Sequence, residues 1–586
     1  MMPPDSWQAV AARKQAQRSA KIPAEWRIPA SIRPPADVAS VQDFARDSAF
    51  FTEDELRITE ATASEVVFRV ARAEWTALQV TTAVCKRAAV AQQLLNCLTE
   101  VLFDDAVARA KELDAYFLQT GRTVGLLHGL PISLSDQFWL KGVDSTIGYV
   151  ASADKPAAED STVVQLLRDA GAVFYAKSNV PTTLTSGETV NGLFGRTVNP
   201  RNRTLSPGGS SGGEAALVTF RASFLGVGTD IGGSVRHPCS FTGLYGLRPS
   251  HGRAPHRRVS TTYAAGQTDV LRPSVAPLCR SPDDVRLFMA TLAALQPWRL
   301  DPLCLHLPWR VDQERLPPRL CFGLSYGDGV VAPTPPLRRA LDMVRARLLA
   351  AGHGVIEHTA HEVREADEII GRMAWTAEGN GGDEFPRRGA DRPGELSMSS
   401  SSSSGAAAAA AGLKGGGGWL GAGVGGGGGL AAPGTTQVVR AQTVSETWQN
   451  QQARSLLFRK WSDRWERTAA RPGANGRVMD ALIMPSTPFP AVRHDRGLPW
   501  HYGQLSPLLD LTTGVFPVTK VDLVKDVVPP DWRPISDKDL EIMKFYGRPE
   551  NHENALVGLV LIGRRLEEEK VTAMLKVMEQ VVGVDY

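Results

Sequence analysis

The sequence predicts an α/β fold built as one large domain. Three observations carry this expectation. From residue 121 to 290, short apolar runs alternate with Gly-rich turns and segments of helix length, the texture of strands and helices taken in turn. Ahead of them, helical periodicity dominates to about residue 118. The chain has 586 residues, 43% of them hydrophobic, which is enough for a large core.

The elements follow in chain order. Residues 1–50 are Pro-rich and polar with scattered tryptophans, and are expected to lie as an extended N-terminal arm on the main body. Thr52-Glu-Asp-Glu55 sets a hydroxyl three residues before a glutamate, the capping-box pattern that opens a helix. Leu102, Ala106, Ala110, Leu113 and Phe117 fall on one helical face, with Asp105, Lys111 and Glu112 away from it. Pro131 to Leu134 reads as a short buried strand running into a polar turn. In "STVVQLLRDAGAVFYAKSN" (161–179), Ser161 or Thr162 is placed to cap a helix that stops near Gly171, and "AVFYA" is a buried strand. Residues 397–434 are runs of serine, alanine and glycine that bury too little surface to offset the entropy of ordering; they read as a flexible low-complexity insertion. Beyond it come a helix in "VSETWQNQQARSLLFRKWSDRWERT", strands in 481–490, 514–522 and 556–565, and a last amphipathic helix over about 567–582. The domain plan is an arm (1–50) and one domain (51–586), with its core motifs in 121–290.

Composition removes several classes of function. Net charge is +3, from 65 basic and 62 acidic residues, which gives no electrostatic case for nucleic acid or a membrane surface. Cys85, Cys97, Cys239, Cys279, Cys304 and Cys321 form no Cys-x-x-Cys pair and no zinc spacing with histidine, so buried thiols in a reducing compartment are expected. No metal or cofactor is implied. The N-terminus lacks the apolar region of a secretory signal and no spanning run of apolar residues occurs, so a cytoplasmic protein is the expectation.

Two Gly-Ser loops carry the chemistry. One is Ser206-Pro-Gly-Gly-Ser-Ser-Gly-Gly-Glu214 and the other is Gly228-Thr-Asp-Ile-Gly-Gly-Ser-Val-Arg236. A helix and a strand fit between them and would bring the loops together. By composition alone "GGSSGG" is a flexible linker, but its flanks form core. A phosphate cradle is a second alternative, lowered by the absence of G-x-x-x-x-G-K-[ST]. Ile231-Gly232-Gly233-Ser234 can set several main-chain N–H groups beside a serine hydroxyl, the arrangement of an oxyanion hole next to its nucleophile.

These loops resemble the amidase signature family. The likeness extends to "GLLHGLPISLSDQFWLKGVDSTIGYV", "NGLFGRTVNPRNRTLSPGGSSGGEAAL", "GVGTDIGGSVRHP", "GLYGLRPSHGR", "VFPVTKVD" and "NALVGLVLIGRR", so it covers nearly the whole chain outside 397–434. The "CKRAAVAQQLLNCLTE" texture is similar to the fungal acetamidase-like subgroup. The resemblance implies a central mixed sheet of about ten or eleven strands enclosed by helices, no cofactor, a small-molecule amide substrate and a homodimer. It also implies hydrolysis of a carboxylic amide through a Ser–Ser–Lys relay. By position Ser234 matches the nucleophile and Ser210 the bridging serine. The backbone of Ile231, Gly232 and Gly233 matches the oxyanion hole, Ser211 and Asp230 supporting polar positions, and Arg236 a structural arginine.

One position departs. The family's base is the lysine of a Ser-x-Lys-Asp pattern, and this chain has Ser133-Leu134-Ser135-Asp136. A serine offers no basic nitrogen to activate the nucleophile. Lys141, Lys177 and His128 are the nearest substitutes, yet each fits the family's ordinary texture. Ala176, Phe224, Ala276 and Leu556-Val-Gly-Leu-Val560 depart more mildly. Two readings follow: an amide hydrolase of impaired turnover, or an inactive amidase-like scaffold that binds a small amide or pairs with an active partner.

Overall fold

The apolar runs become thirteen strands among the described residues: β1 (Leu98–Val101), β2 (Pro131–Ser135), β3 (Val173–Ser178), β4 (Val190–Asn191), β5 (Gly195–Arg196), β6 (Leu225–Asp230), β7 (Tyr245–Arg248), β8 (Ser274–Cys279), β9 (Cys321–Leu324), β10 (Gly354–Glu357), β11 (Ala481–Pro485), β12 (Thr513–Lys520) and β13 (Leu556–Ile562). The computed structural model describes residues 6–261, 271–374, 443–474, 476–499 and 501–584. The insertion expected at 397–434 lies outside the described residues.

Eleven strands form one sheet in the order β1-β3-β2-β6-β8-β7-β12-β13-β11-β9-β10. It is mixed: β3, β2 and β6 run parallel, as do β10, β9 and β11, and the pairs between them are antiparallel. Every residue of β2, β3, β6 and β13 is buried. Strands covered on both faces read as unbroken apolar runs, and the helices do the covering. The sheet matches the strand number that the resemblance implied.

The helices named from the sequence form close to their expected positions. Thr52 and Glu55 close a capping box on the helix Glu53–Glu60. The helix Phe103–Thr120 buries Phe103, Ala106, Ala110 and Leu113. Ser161 stands at the N-cap of Thr162–Asp169, but its hydroxyl serves the tertiary fold instead, accepting from Trp139 N–H at 2.8 Å and donating to the Arg258 carbonyl at 2.5 Å. The N-terminal arm is a correction. Its first part is not extended: Trp7–Ala20 is a helix, N-capped by Ser6. The run "AVAARKQAQRSA" is rich in good helix formers, and buried Lys14 docks it by pairing with Glu100 at 2.8 Å and Asp144 at 2.9 Å.

Candidate active site

Three elements deliver the two loops to one place. β2 and β6 are parallel neighbours, and both end at the same edge of the sheet. β6 runs into the loop 231–235, and the helix Gly212–Thr219 carries the other loop at its N-terminus. The Ser211 N–H donates to the Ser234 carbonyl at 3.0 Å and joins the two loops directly. Gly213 N–H anchors the first loop to the Asn179 carbonyl at 3.1 Å, just past the end of β3. The Gly209–Ser210 peptide bond is cis. Gly209 has no room for a side chain, because a Cβ would lie 2.4 Å from the Ser186 carbonyl oxygen.

The second loop is wound around a buried carboxylate. Asp230 Oδ1 accepts from Gly233 N–H at 2.9 Å and Arg236 Nη2 at 2.8 Å; Oδ2 accepts from the N–H groups of Val235 and Arg236, both at 3.2 Å, and from Arg236 Nε at 3.0 Å. Burial opposes this charge, but the Arg236 guanidinium outweighs it and holds the carboxyl well below the usual range. Arg236 Nη1 then donates to the Gly503 carbonyl at 2.8 Å. Gly233 has φ +121°, and a Cβ there would meet the His237 ring at 2.3 Å, so this turn requires glycine. Burial, helped by Arg236, pushes the His237 imidazole down to about 4, so it is neutral in the working range.

Of the three amides expected to face an oxyanion, that of Gly233 is turned to Asp230. Ile231 and Gly232 are half-buried and stand at the solvent side of the loop, whereas Ser234 is 4% exposed and Ser210 is 1% exposed.

Ser135 closes β2, wholly buried, and its Oγ has no protein hydrogen-bond partner. It pairs in parallel register with Ser178. The Asp136 carboxylate accepts from Thr99 Oγ1 and Thr146 Oγ1, both at 2.8 Å, and Ile147 N–H at 2.7 Å. None of the substitute bases replaces Ser135. Lys177 pairs with Leu134 in the strand register, so it points to the opposite face from Ser135. There its Nζ donates to the Asp144 carbonyl at 2.5 Å and Ser145 Oγ at 2.6 Å. Lys141 is exposed. His128 precedes β2 at its far end and accepts from Val124 N–H at 3.1 Å.

Two site residues escaped the sequence reading. Gly503 braces Arg236 from far along the chain, where no short-range signal points to it. Glu214, the last residue of the first loop, is fully buried and accepts from Ser133 Oγ at 2.5 Å; its signal was a carboxylate inside the apolar helix "GGEAALVT".

Comparison with known proteins identifies the family. The family model described as Amidase matches residues 79–572. A Curvularia clavata protein named "Putative amidase kk1C" is 56% identical over 581 residues, covering 99% of each chain. The acetamidase of Emericella nidulans is 37% identical, again over 99% of each chain. Among solved structures, a fatty acid amide hydrolase superposes with TM-score 0.86 at 27% identity, over 99% of this chain and 96% of that one. Model, relatives and fold agree along nearly the full length, and the chain belongs to the amidase signature family.

Proposed function

We propose that this chain hydrolyses a carboxylic amide to an acid and ammonia or an amine, through an acyl-enzyme on Ser234. The observation that carries the reading is the Ser211 N–H bond to the Ser234 carbonyl, which fixes the Ser210 loop against the Ser234 loop. In this reading Ser234 Oγ attacks the amide carbon and passes its proton to Ser210. The N–H groups of Ile231 and Gly232 meet the developing oxyanion, and Asp230 and Arg236 hold the loop that presents them. Such preorganised donors favour the transition state because they need no reorientation as charge develops. The substrate is a small amide, the location cytoplasmic and the assembly a homodimer.

Ser135, at the position of the family's lysine, favours a second reading, a scaffold that binds an amide or an active partner without turnover. General-base catalysis contributes ~10²–10⁴-fold, so Ser135→Lys is expected to raise the rate by at most that range, measured as hydrolysis of acetamide and small aryl amides. Ser234→Ala is expected to abolish it. Activity surviving Ser234→Ala would remove the nucleophile assignment. Inert wild type and inert Ser135→Lys together would favour the scaffold.

A further inference from the structure

The buried carboxyl of Glu214 takes no part in the Ser234–Ser210 relay, yet it ends the first serine loop and lies over β6, the strand that leads into the second. It sits on the helix Gly212–Thr219, three residues after Ser211, and faces the sheet. Its Oε2 lies over β6, 2.3 Å from where a Cβ on Gly226 would stand. Gly226 pairs with Ser133 of β2. Ser211 Oγ lies over the next position on that face of β6, 2.5 Å from where a Cβ on Gly228 would stand. The register that pairs Leu134 with Val227 sets Gly228 beside Ser135. Ser133 and Ser135 share this face of β2, since side chains alternate along a strand, and Ser178 joins them from β3. One face of three adjacent strands therefore carries Ser133, Ser135 and Ser178, with Glu214 and Ser211 covering it.

The hydrogen bonds around Glu214 suit both of its protonation states. Ser133 Oγ lies 2.5 Å from Glu214 Oε2 and 2.9 Å from Ser223 Oγ, and Ser223 Oγ donates to the Leu225 carbonyl at 3.0 Å. With Glu214 protonated, its O–H donates to Ser133, Ser133 to Ser223, and Ser223 to the carbonyl. With Glu214 ionised, the Ser133 hydroxyl turns to donate to the carboxylate, and Ser223 keeps its carbonyl. Rotation of one hydroxyl thus takes up or releases the change. Among the described residues no Lys or Arg pairs with Glu214, and the titratable groups acting on it through space, the Tyr175 phenol and the Cys97 thiol, are kept neutral by burial. Burial pushes its carboxyl up to about 8, opposed by the hydroxyls of Ser133 and Ser178. The hydroxyls of Ser135, Ser178 and Ser211 are buried without an aligned protein partner, as is Glu214 Oε1.

We propose that Glu214 is the remote proton acceptor for Ser234, reached through Ser210, a water held by Ser211 and Ser135, and Ser178. The inference rests on the amide hydrolase reading above. In the acylation step the Ser234 Oγ–H bond breaks as the oxygen bonds to the amide carbon. Each oxygen of the relay passes one proton on, and the Glu214 carboxylate ends as the acid. When the tetrahedral intermediate collapses, the C–N bond breaks, the protons shift back, the leaving nitrogen takes one and the carboxylate is restored. The base form is the carboxylate, so turnover rises as pH approaches about 8 and levels above it.

The test is the pH profile of kcat/KM for a small aryl amide, in wild type, Glu214→Gln, Ser178→Ala, Ser135→Lys and the double variant Ser135→Lys/Glu214→Gln. Glu214→Gln keeps the shape and is expected to lose ~10²–10⁴-fold together with the alkaline rise, and Ser178→Ala to lose most of the same factor. Adding Ser135→Lys is expected to rescue Glu214→Gln, because a local amine bypasses the relay. A Glu214→Gln enzyme as fast as wild type overturns the proposal while the hydrolase reading stands. So does a double variant that stays inert when Ser135→Lys alone is active, because Glu214 would then serve only the fold. If wild type and Ser135→Lys are both inert, the hydrolase reading falls and takes the relay with it.

Discussion

Asp230 and Arg236 are both buried, and they pair there at 2.8 Å. The carboxylate uses both oxygens on five N–H groups, and the guanidinium reaches past it to Gly503. Removing one member of a buried pair leaves the other uncompensated, which typically costs 3–5 kcal/mol, so Asp230→Asn is expected to lower unfolding stability by about that much in urea denaturation. A loss near that of an exposed pair, about 1 kcal/mol or less, would show that solvent reaches Arg236. The pH sign follows from the depressed folded pKa: the contribution is present above the ordinary carboxylate range and is lost as pH falls through it toward the lower folded value. The Asp230→Asn stability curve should therefore flatten in acid relative to wild type. Sequence reading reached both residues because they sit inside one loop; Gly503 was illegible, since only the tertiary fold brings its carbonyl to Arg236.

At the scale of elements, the strands were legible and their register was not. Continuous apolar runs such as "AVFYA" and "LVGLVLI" announce buried strands whatever their neighbours. Which face Ser135 shares, and with whom, depends on β2 pairing with β3 and β6, and no local pattern encodes that. The N-terminal helix was missed for a different reason. It docks through cations set beside a short apolar patch: Lys14 pairs with Glu100 and Asp144, Arg18 Nη1 donates to the Leu98 carbonyl at 2.6 Å, and Trp7, Val10 and Ala11 pack with Leu193 and Phe194. Asp144 also lends its carbonyl to Lys177, so this helix braces the strands behind the site. Lys14→Met would leave two buried carboxylates without their shared cation. We expect a loss of about 3 kcal/mol on the scale of broken buried pairs, and faster proteolysis near residue 20. Unchanged stability and cleavage would mean that the helix docks without this pair.

Across the whole molecule, three distant segments meet at His501. Its Nε2 lies 3.1 Å from Asp328 Oδ2, in the loop after β9, and its Nδ1 lies 3.0 Å from Asp367 Oδ2, on the helix Glu362–Ala374. Both contacts lie within hydrogen-bond distance, and hydrogen bonding and charge attraction to the two carboxylates hold the ring in place. His501 is two residues from Gly503, so the ion triple secures the segment that braces Arg236 and, through it, the Ser234 loop. Tyr502 adds a bond from its hydroxyl to the Val331 carbonyl at 2.5 Å. Burial opposes protonation of His501, but Asp328 and Asp367 together outweigh it and raise its pKa; Lys538 acts on Asp367 from the neighbouring helix, and Asp539 faces Tyr502. A raised folded pKa fixes the sign: the stabilisation is complete below the unfolded histidine value of about 6.5 and is lost as pH rises through the folded one. His501→Gln removes the cation and leaves the two carboxylates together. Its thermal midpoint should fall furthest below wild type near pH 6, and the gap should narrow as pH is raised. A gap that stays constant across that range would show that His501 holds these segments by packing, with its charge contributing nothing.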